Sequence, residues 1–140
     1  MRTAVDTNVF SALWSGEPSA SAMSVLLEES RNAGGIVICG VVYAELLAHP
    51  KATQKFVDDF LADTNVQIDF DLSESIWRDL AHRFANYAER RRNSQGTNPK
   101  RLLADFMVGA HAVHLADRLL TLDASRYKID FPSLQLLPRP

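Results

Sequence analysis

Short apolar runs alternate with longer segments of helical periodicity along the 140 residues of the chain. Runs of this length are too short for core helices but suit strands that are buried on both faces. We predict five strands, TAV (3–5), IVIC (36–39), VQIDF (66–70), LLTL (119–122) and LQLL (134–137). Strands that alternate with helices usually pair in parallel, so we expect an α/β fold, a three-layer α/β/α sandwich with a central, mostly parallel five-stranded sheet.

The segments between these runs carry apolar residues at helical spacing. Helices are predicted over residues 19–33, 41–49 and 51–63, after an N-cap at Ser73, and from about Lys100 to about Ala116. Gly109 interrupts the last helix at a cost of about 1 kcal/mol relative to alanine, which predicts close packing against a neighbour. The sequence shows no linker or repeat, so residues 1–140 are expected to form one domain.

Composition is that of an ordinary globular protein, with 46% hydrophobic residues, 23% charged residues and a formal net charge of −2. Cys39 is the single cysteine of the chain, which excludes a disulfide framework. No apolar run approaches the roughly 20 residues of a membrane span, and Asp6 interrupts the N-terminus too soon for a signal peptide. We therefore expect a cytoplasmic protein that does not enter a membrane.

Two acidic residues end predicted strands in the same way, since Asp6 follows TAV and Asp123 ends LLTLD. The carboxyl ends of parallel strands meet at one edge of a sheet, where α/β proteins bind their ligands. Asp is also favoured at helix N-caps and in turns, so either residue alone is explained as well by a structural role. Their occurrence together favours a site.

Glu45 and Asp105 are two further candidates, each in a largely apolar helical segment. Glu45 lies between Ala44 and Leu46, and Asp105 borders the apolar face of its helix. A carboxylate on a packed face is costly unless it is paired, protonated or bound to a cation. The alternative for both residues is an exposed acid that stabilises the positive end of a helix dipole.

Converging carboxylates would raise one another's pKa values unless a cation neutralised them. Oxygen ligands of this kind suit Mg²⁺ or Mn²⁺, which also bind phosphate oxygens. The chemistry to expect is therefore metal-assisted hydrolysis of a phosphodiester. Thr7, Asn8 and Thr121 are placed to supply neutral hydrogen bonds to a carboxylate or to a metal-bound water.

Four segments occur in order along most of the chain: DTNVF, VVYAEL, RLLADFMVGAHA, and LLTLD followed by Tyr127 and Phe131. This arrangement resembles the PIN domain family, and within it the VapC-type ribonuclease toxins of prokaryotic toxin–antitoxin pairs. The resemblance implies an α/β/α sandwich whose acidic quartet binds Mg²⁺ or Mn²⁺ and catalyses RNA hydrolysis. It further implies a homodimer, a cognate antitoxin that blocks the site, and structured RNA such as tRNA as substrate. The quartet would be Asp6, Glu45, Asp105 and Asp123.

A basic stretch, AERRRNSQGTNPKR, supplies candidate contacts to the RNA backbone at Arg91, Arg92, Lys100 and Arg101. Each cation would add salt-dependent attraction to phosphate. Basic residues at a helix end also complement the negative end of the helix dipole, and this explanation is equally good.

Two other functions stay open on the sequence. One is a Mg²⁺-dependent phosphohydrolase that forms a phospho-aspartate at Asp6. Such enzymes carry a second Asp two residues further on, where this chain has Asn8. The other is a non-catalytic PIN-like module that binds RNA or a protein.

Three polar residues are expected to be structural. His111 and His114 are three residues apart on one helix, but no further nitrogen or sulfur ligand lies nearby in the sequence, which favours packing. Asp117 is a further acidic candidate, better explained as an exposed residue at a helix end.

Overall fold

Five strands and six α-helices make up the computed structural model, which describes residues 1–139. The strands are β1 (Thr3–Val5), β2 (Ile36–Cys39), β3 (Val66–Asp69), β4 (Arg118–Leu120) and β5 (Gln135–Leu137). The helices are α1 (Thr7–Ser15), α2 (Ala20–Ala33), α3 (Gly40–Leu47), α4 (Gln54–Asp63), α5 (Glu74–Asn93) and α6 (Leu103–Leu115), with a 3₁₀ helix at Ala124–Arg126. The predicted α/β/α class is confirmed.

The sheet is wholly parallel, in the order β3-β2-β1-β4-β5. The chain builds outward from β1 to β3 on one side and then crosses to β4 and β5 on the other. Right-handed crossovers therefore place α1 to α4 on one face of the sheet and α5 and α6 on the other. The strand order reverses between β1 and β4, where Val5 lies opposite Leu120. That is the point at which an open α/β sheet leaves a crevice at its carboxyl edge.

Element ends differ from the predicted ones where side chains cap or redirect the chain. Helix α6 begins at Leu103 rather than near Lys100, because the Asp105 side chain accepts the N–H of the extended Leu102. Helix α4 begins after Thr53, whose hydroxyl oxygen accepts the N–H of Phe56. Strand β4 ends at Leu120, two residues earlier than predicted, and the Thr121 hydroxyl oxygen then accepts the backbone N–H of Asp123 at 3.1 Å.

The three polar residues expected to be structural have structural partners. His111 is fully buried, and its Nε2 lies 2.8 Å from Asp69 Oδ2. His114 Nε2 lies 2.7 Å from Asp79 Oδ2. Asp117 precedes β4 and accepts the backbone N–H of Arg2 at 2.6 Å, which places it at the opposite edge of the sheet from Asp6. None of the helices within residues 1–139 combines the length and apolar character needed to cross a membrane.

Gly109 packs directly against Phe131, as the sequence predicts for a glycine inside a helix. A Cβ at Gly109 would overlap the ring of Phe131, which is itself buried. The residue thus allows α6 to approach the segment between the 3₁₀ helix and β5.

Gly109→Ala is expected to lower the free energy of unfolding by about 1–3 kcal/mol, the usual effect of overpacking a core. This loss exceeds the gain of about 1 kcal/mol in helix propensity. Chemical denaturation of the two proteins measures the difference. Phe131→Leu destabilises by itself, but in combination with Gly109→Ala it should cost less than the sum of the single changes. Strict additivity would mean that the ring is not the obstacle.

Candidate active site

The buried carboxylate of Asp6 is held by three hydrogen-bond donors. Its Oδ1 accepts the backbone N–H of Thr7 at 2.8 Å, which caps α1. Its Oδ2 accepts the hydroxyls of Thr121 at 2.9 Å and Tyr127 at 2.7 Å. Burial and the charge of Asp6 raise the pKa of Tyr127, so the phenol stays protonated and donates. Asp6 is 4% exposed, and a buried carboxylate needs such donors. Asp6 therefore caps a helix and also lies in the crevice.

Thr7 and Asn8 connect α1 to two neighbouring elements. Thr7 Oγ1 donates to Glu45 Oε1 at 2.7 Å, which matches the predicted hydrogen bond to a carboxylate. Asn8 Oδ1 accepts the backbone N–H of Leu122 at 3.1 Å, and its Nδ2 lies 3.4 Å from Thr121 Oγ1. Asn8 thus fixes the chain after β4 and makes no hydrogen bond to a carboxylate in the described structure.

Asp105 and Asp123 both face Arg126, a residue that the sequence reasoning missed. Arg126 Nε lies 2.8 Å from Asp123 Oδ2, and Arg126 Nη1 lies 3.8 Å from Asp105 Oδ1. Ser125 Oγ donates to the other oxygen of Asp123 at 2.6 Å. The spacing of three residues between Asp123 and Arg126 was the signal available in the sequence, since it suits an ion pair within one helical turn.

A cavity of about 410 Å³ brings most of these side chains together at the carboxyl edge of the sheet. We call it the acidic cavity, because Asp6, Glu45 and Asp105 line it together with Arg126. Asp123 lies outside the lining and reaches the acidic cavity through its ion pair with Arg126. The structure thus brings three of the four predicted carboxylates to one cavity and places the fourth beside it.

Glu17 also lines the acidic cavity, although nothing in its sequence context marks it. It follows Gly16, which ends α1 in a left-handed conformation with φ of 65°. Glycine adopts this conformation without strain, so Gly16 predicts a helix end. It does not predict that the side chain of Glu17 lines the acidic cavity.

Local surroundings shift the pKa values of two carboxyl groups in opposite directions. Partial burial of its carboxyl raises the pKa of Glu45, and the charges of Asp6 and Asp105 add to this effect. The hydrogen bond from Ser125 lowers the pKa of Asp123, and the nearby guanidinium groups act in the same direction. Asp123 is therefore fully ionised at neutral pH, while Glu45 accepts a proton more readily than an exposed glutamate.

The donor set of the acidic cavity fits a hard divalent cation, because it offers carboxylate and hydroxyl oxygens. Within residues 1–139, however, no three His, Cys, Asp or Glu side chains are grouped so that they could hold a metal ion. Glu45 is hydrogen-bonded to Thr7, while Asp105 and Asp123 face Arg126. Cation binding therefore requires these side chains to exchange partners.

The four basic residues predicted to contact RNA lie outside the acidic cavity. Arg91, Arg92, Lys100 and Arg101 line a separate depression of about 520 Å³ at the C-terminal end of α5, which we call the basic pocket. The structure thus groups the four side chains, and their contact with RNA stays a prediction.

The sequence matches the PIN domain family over residues 3–132, and the chain belongs to that family. PIN domains are generally metal-dependent nucleases, and the family is often associated with toxin–antitoxin pairs and with RNA binding. Comparison with curated proteins gives no match. Membership of the family therefore indicates nuclease activity.

Arg126→Gln is expected to tighten divalent-cation binding, because it removes a positive charge that competes for Asp105 and Asp123. Thermal unfolding with EDTA and with MnCl₂ measures the effect, since tenfold tighter binding adds about 1.4 kcal/mol of stability at saturating metal. We expect a lower melting temperature than wild type in EDTA and a larger rise with Mn²⁺. Arg78→Gln, which removes an exposed arginine that pairs with Glu74, serves as the control. Equal Mn²⁺ shifts in all three proteins would contradict this role for Arg126.

Proposed function

We propose that this chain is the toxin component of a type II toxin–antitoxin system. In this proposal it is an Mg²⁺- or Mn²⁺-dependent endoribonuclease that hydrolyses tRNA or other structured RNA in the cytoplasm. One observation carries the proposal: carboxylates from three separate elements line one cavity at the reversal of strand order. Asp6 follows β1, Glu45 lies on α3 and Asp105 lies on α6. Membership of a family of metal-dependent nucleases supports the reaction.

The contacts of each carboxylate suggest its role in metal binding and catalysis. Asp6 would hold the ion from a fixed position, because its three donors restrain rotation of the carboxylate. Asp105 would be the second direct ligand, since its Oδ1 makes only the long contact with Arg126. Glu45 and Asp123 complete the set, either directly or through water. When bound, the divalent ion would lower the pKa of a water molecule and neutralise negative charge on the phosphate oxygens.

Glu45 is the better candidate to orient the attacking water. Its carboxylate lines the acidic cavity and has Thr7 as its single hydrogen-bond donor in the described structure. Asp123, in contrast, is occupied by Ser125 and Arg126. The guanidinium of Arg126 lines the same cavity, and its planar donor pattern suits a phosphate group, so we assign Arg126 to the scissile phosphate.

The two alternative functions differ from this proposal in what they require of the site. A phospho-aspartate mechanism needs a second acid two residues after Asp6, but the amide of Asn8 there is engaged with Leu122 and Thr121. A non-catalytic binding module has no need of the acidic cavity. It would be the conclusion if RNA were bound and never cleaved.

Asp105→Asn is expected to reduce RNA cleavage by more than about 100-fold, because even outer-shell partners of metal ligands are typically worth about 10- to 100-fold. The assay follows cleavage of total RNA and of tRNA with MgCl₂, with MnCl₂ and with EDTA. Asp117→Asn is the matched control, since it changes an acid at the opposite edge of the sheet. Circular dichroism of both variants checks the fold. Equal activity of the two variants, or cleavage that persists in EDTA, would refute the metal-nuclease proposal.

Toxin function predicts that expression of the chain in a bacterial host arrests growth, whereas expression of Asp105→Asn does not. The proposal also predicts a small open reading frame next to this gene, whose co-expression restores growth and whose product co-purifies with the chain. A fully active nuclease that leaves growth unaffected would contradict the toxin assignment, but it would not contradict the proposed RNA hydrolysis.

A homodimer is part of the same proposal. The protomer exposes several large apolar side chains, including Phe70 at 65%, Trp77 at 43% and Ile129 at 70%. Exposed apolar side chains that lie together in one patch are often covered by association. Light scattering on the purified protein distinguishes one protomer from two.

A further inference from the structure

The basic pocket is formed by two parts of the chain that are separate in sequence. Arg91 and Arg92 come from the last turn of α5, and Lys100 and Arg101 come from the segment that leads into α6. Phe84 and Tyr87 also line the pocket. Four cations therefore meet in one depression, although the chain as a whole has a formal net charge of −2.

Among the described residues, the four cations of the basic pocket form no ion pair with an acidic side chain. No Asp or Glu belongs to the lining among residues 1–139. Arg78, Arg83 and Arg90 on the same helix are each paired with a carboxylate. In the described part of the chain, Arg91 and Arg92 make no such pair. The Nε of Arg91 is buried without a hydrogen-bond partner there.

The helix dipole explains only half of this arrangement. Arg91 and Arg92 lie where they complement the negative end of α5. Lys100 and Arg101 lie outside any helix, so the dipole gives no reason for their position. A bound anion gives a reason for all four residues.

The basic pocket is connected to the acidic cavity through residues 101–105. Arg101 Nη2 donates to the backbone oxygen of Ser125 at 3.2 Å, and Ser125 Oγ donates to Asp123. The next residue after Arg101, Leu102, donates its N–H to Asp105 at 3.0 Å. The two places are therefore neighbours along the chain and are linked by these hydrogen bonds.

We propose that the basic pocket binds a backbone phosphate of the RNA strand whose scissile phosphodiester lies in the acidic cavity. This inference rests on the proposed nuclease function. Carboxylates repel a polyanion, so a nuclease with an acidic cavity needs cations beside it to hold the strand. Arg91, Arg92, Lys100 and Arg101 act as positioning residues, and they place the strand without taking part in the chemistry.

The test measures binding of single-stranded RNA in the Asp105→Asn background, by fluorescence anisotropy over a range of salt concentrations. The main variant is Arg92→Gln/Lys100→Gln, because both side chains are exposed and their loss leaves the core intact. The matched control is Lys55→Gln/Arg78→Gln, two exposed cations outside the pocket. Arg91→Gln is the third variant and probes the unpartnered Nε.

The pocket variant is expected to bind RNA about tenfold more weakly, with a salt slope shallower by about 1.4, or about 0.7 for each cation removed. The control should match the parent protein. In the cleavage-competent protein, the same pair should raise KM and leave kcat within about twofold, as expected when uniform binding is lost. Equal losses in the pocket and control variants, or no loss in either, would overturn the proposal.

Two further outcomes distinguish this proposal from an acidic-protein site and from the nuclease proposal. If polyglutamate of matched charge competed as well as RNA, the pocket would be a site for an acidic protein segment, and the RNA proposal would be wrong. If wild-type protein bound RNA through the pocket but cleaved nothing, the RNA contact of the pocket would stand, whereas the nuclease proposal and the placement of a scissile phosphodiester in the acidic cavity would be wrong.

Discussion

The buried charge of Asp6 is the interaction on which the carboxyl edge of this sheet depends. A carboxylate that is 4% exposed is stable only with its donors in place, and these come from Thr7, Thr121 and Tyr127. The donors join the start of α1 to the segment after β4. That segment then carries Asp123 and Arg126 to the acidic cavity. One hydrogen-bonded group thus fixes both the strand junction and the position of the neighbouring charges.

Much of the fold could be predicted because apolar patterning reflects burial. Strands such as IVIC are buried at every position, and their alternation with helices leads directly to a parallel sheet. Element ends could not be predicted as well, because single hydrogen bonds determine them. The start of α6 depends on Asp105, and the start of α4 depends on Thr53. Neither contact changes the hydrophobic period that was used to find the helices.

The residues of the candidate site could also be predicted only in part. Asp6 and Asp123 could be found because they end apolar runs, and Glu45 and Asp105 because they stand out in apolar helices. Glu17 and Arg126 have no such contrast, since each lies in a polar loop or a single short turn, and only the folded chain places it. The roles of all these residues in catalysis stay predictions, but the structure places all of them except Asp123 in the lining of one cavity.

Net charge is a poor guide to the partner of this chain because the charges are segregated over short distances. Residues 101–105 connect the two places, since Asp105 lines the acidic cavity and Arg101 lines the basic pocket. A metal ion needs the first surface, and a polyanion needs the second. Neither surface alone would bind both partners, since carboxylates repel RNA and a cluster of cations repels Mg²⁺. In the proposed function, these two surfaces would let one chain with a formal charge of −2 bind both a metal ion and RNA.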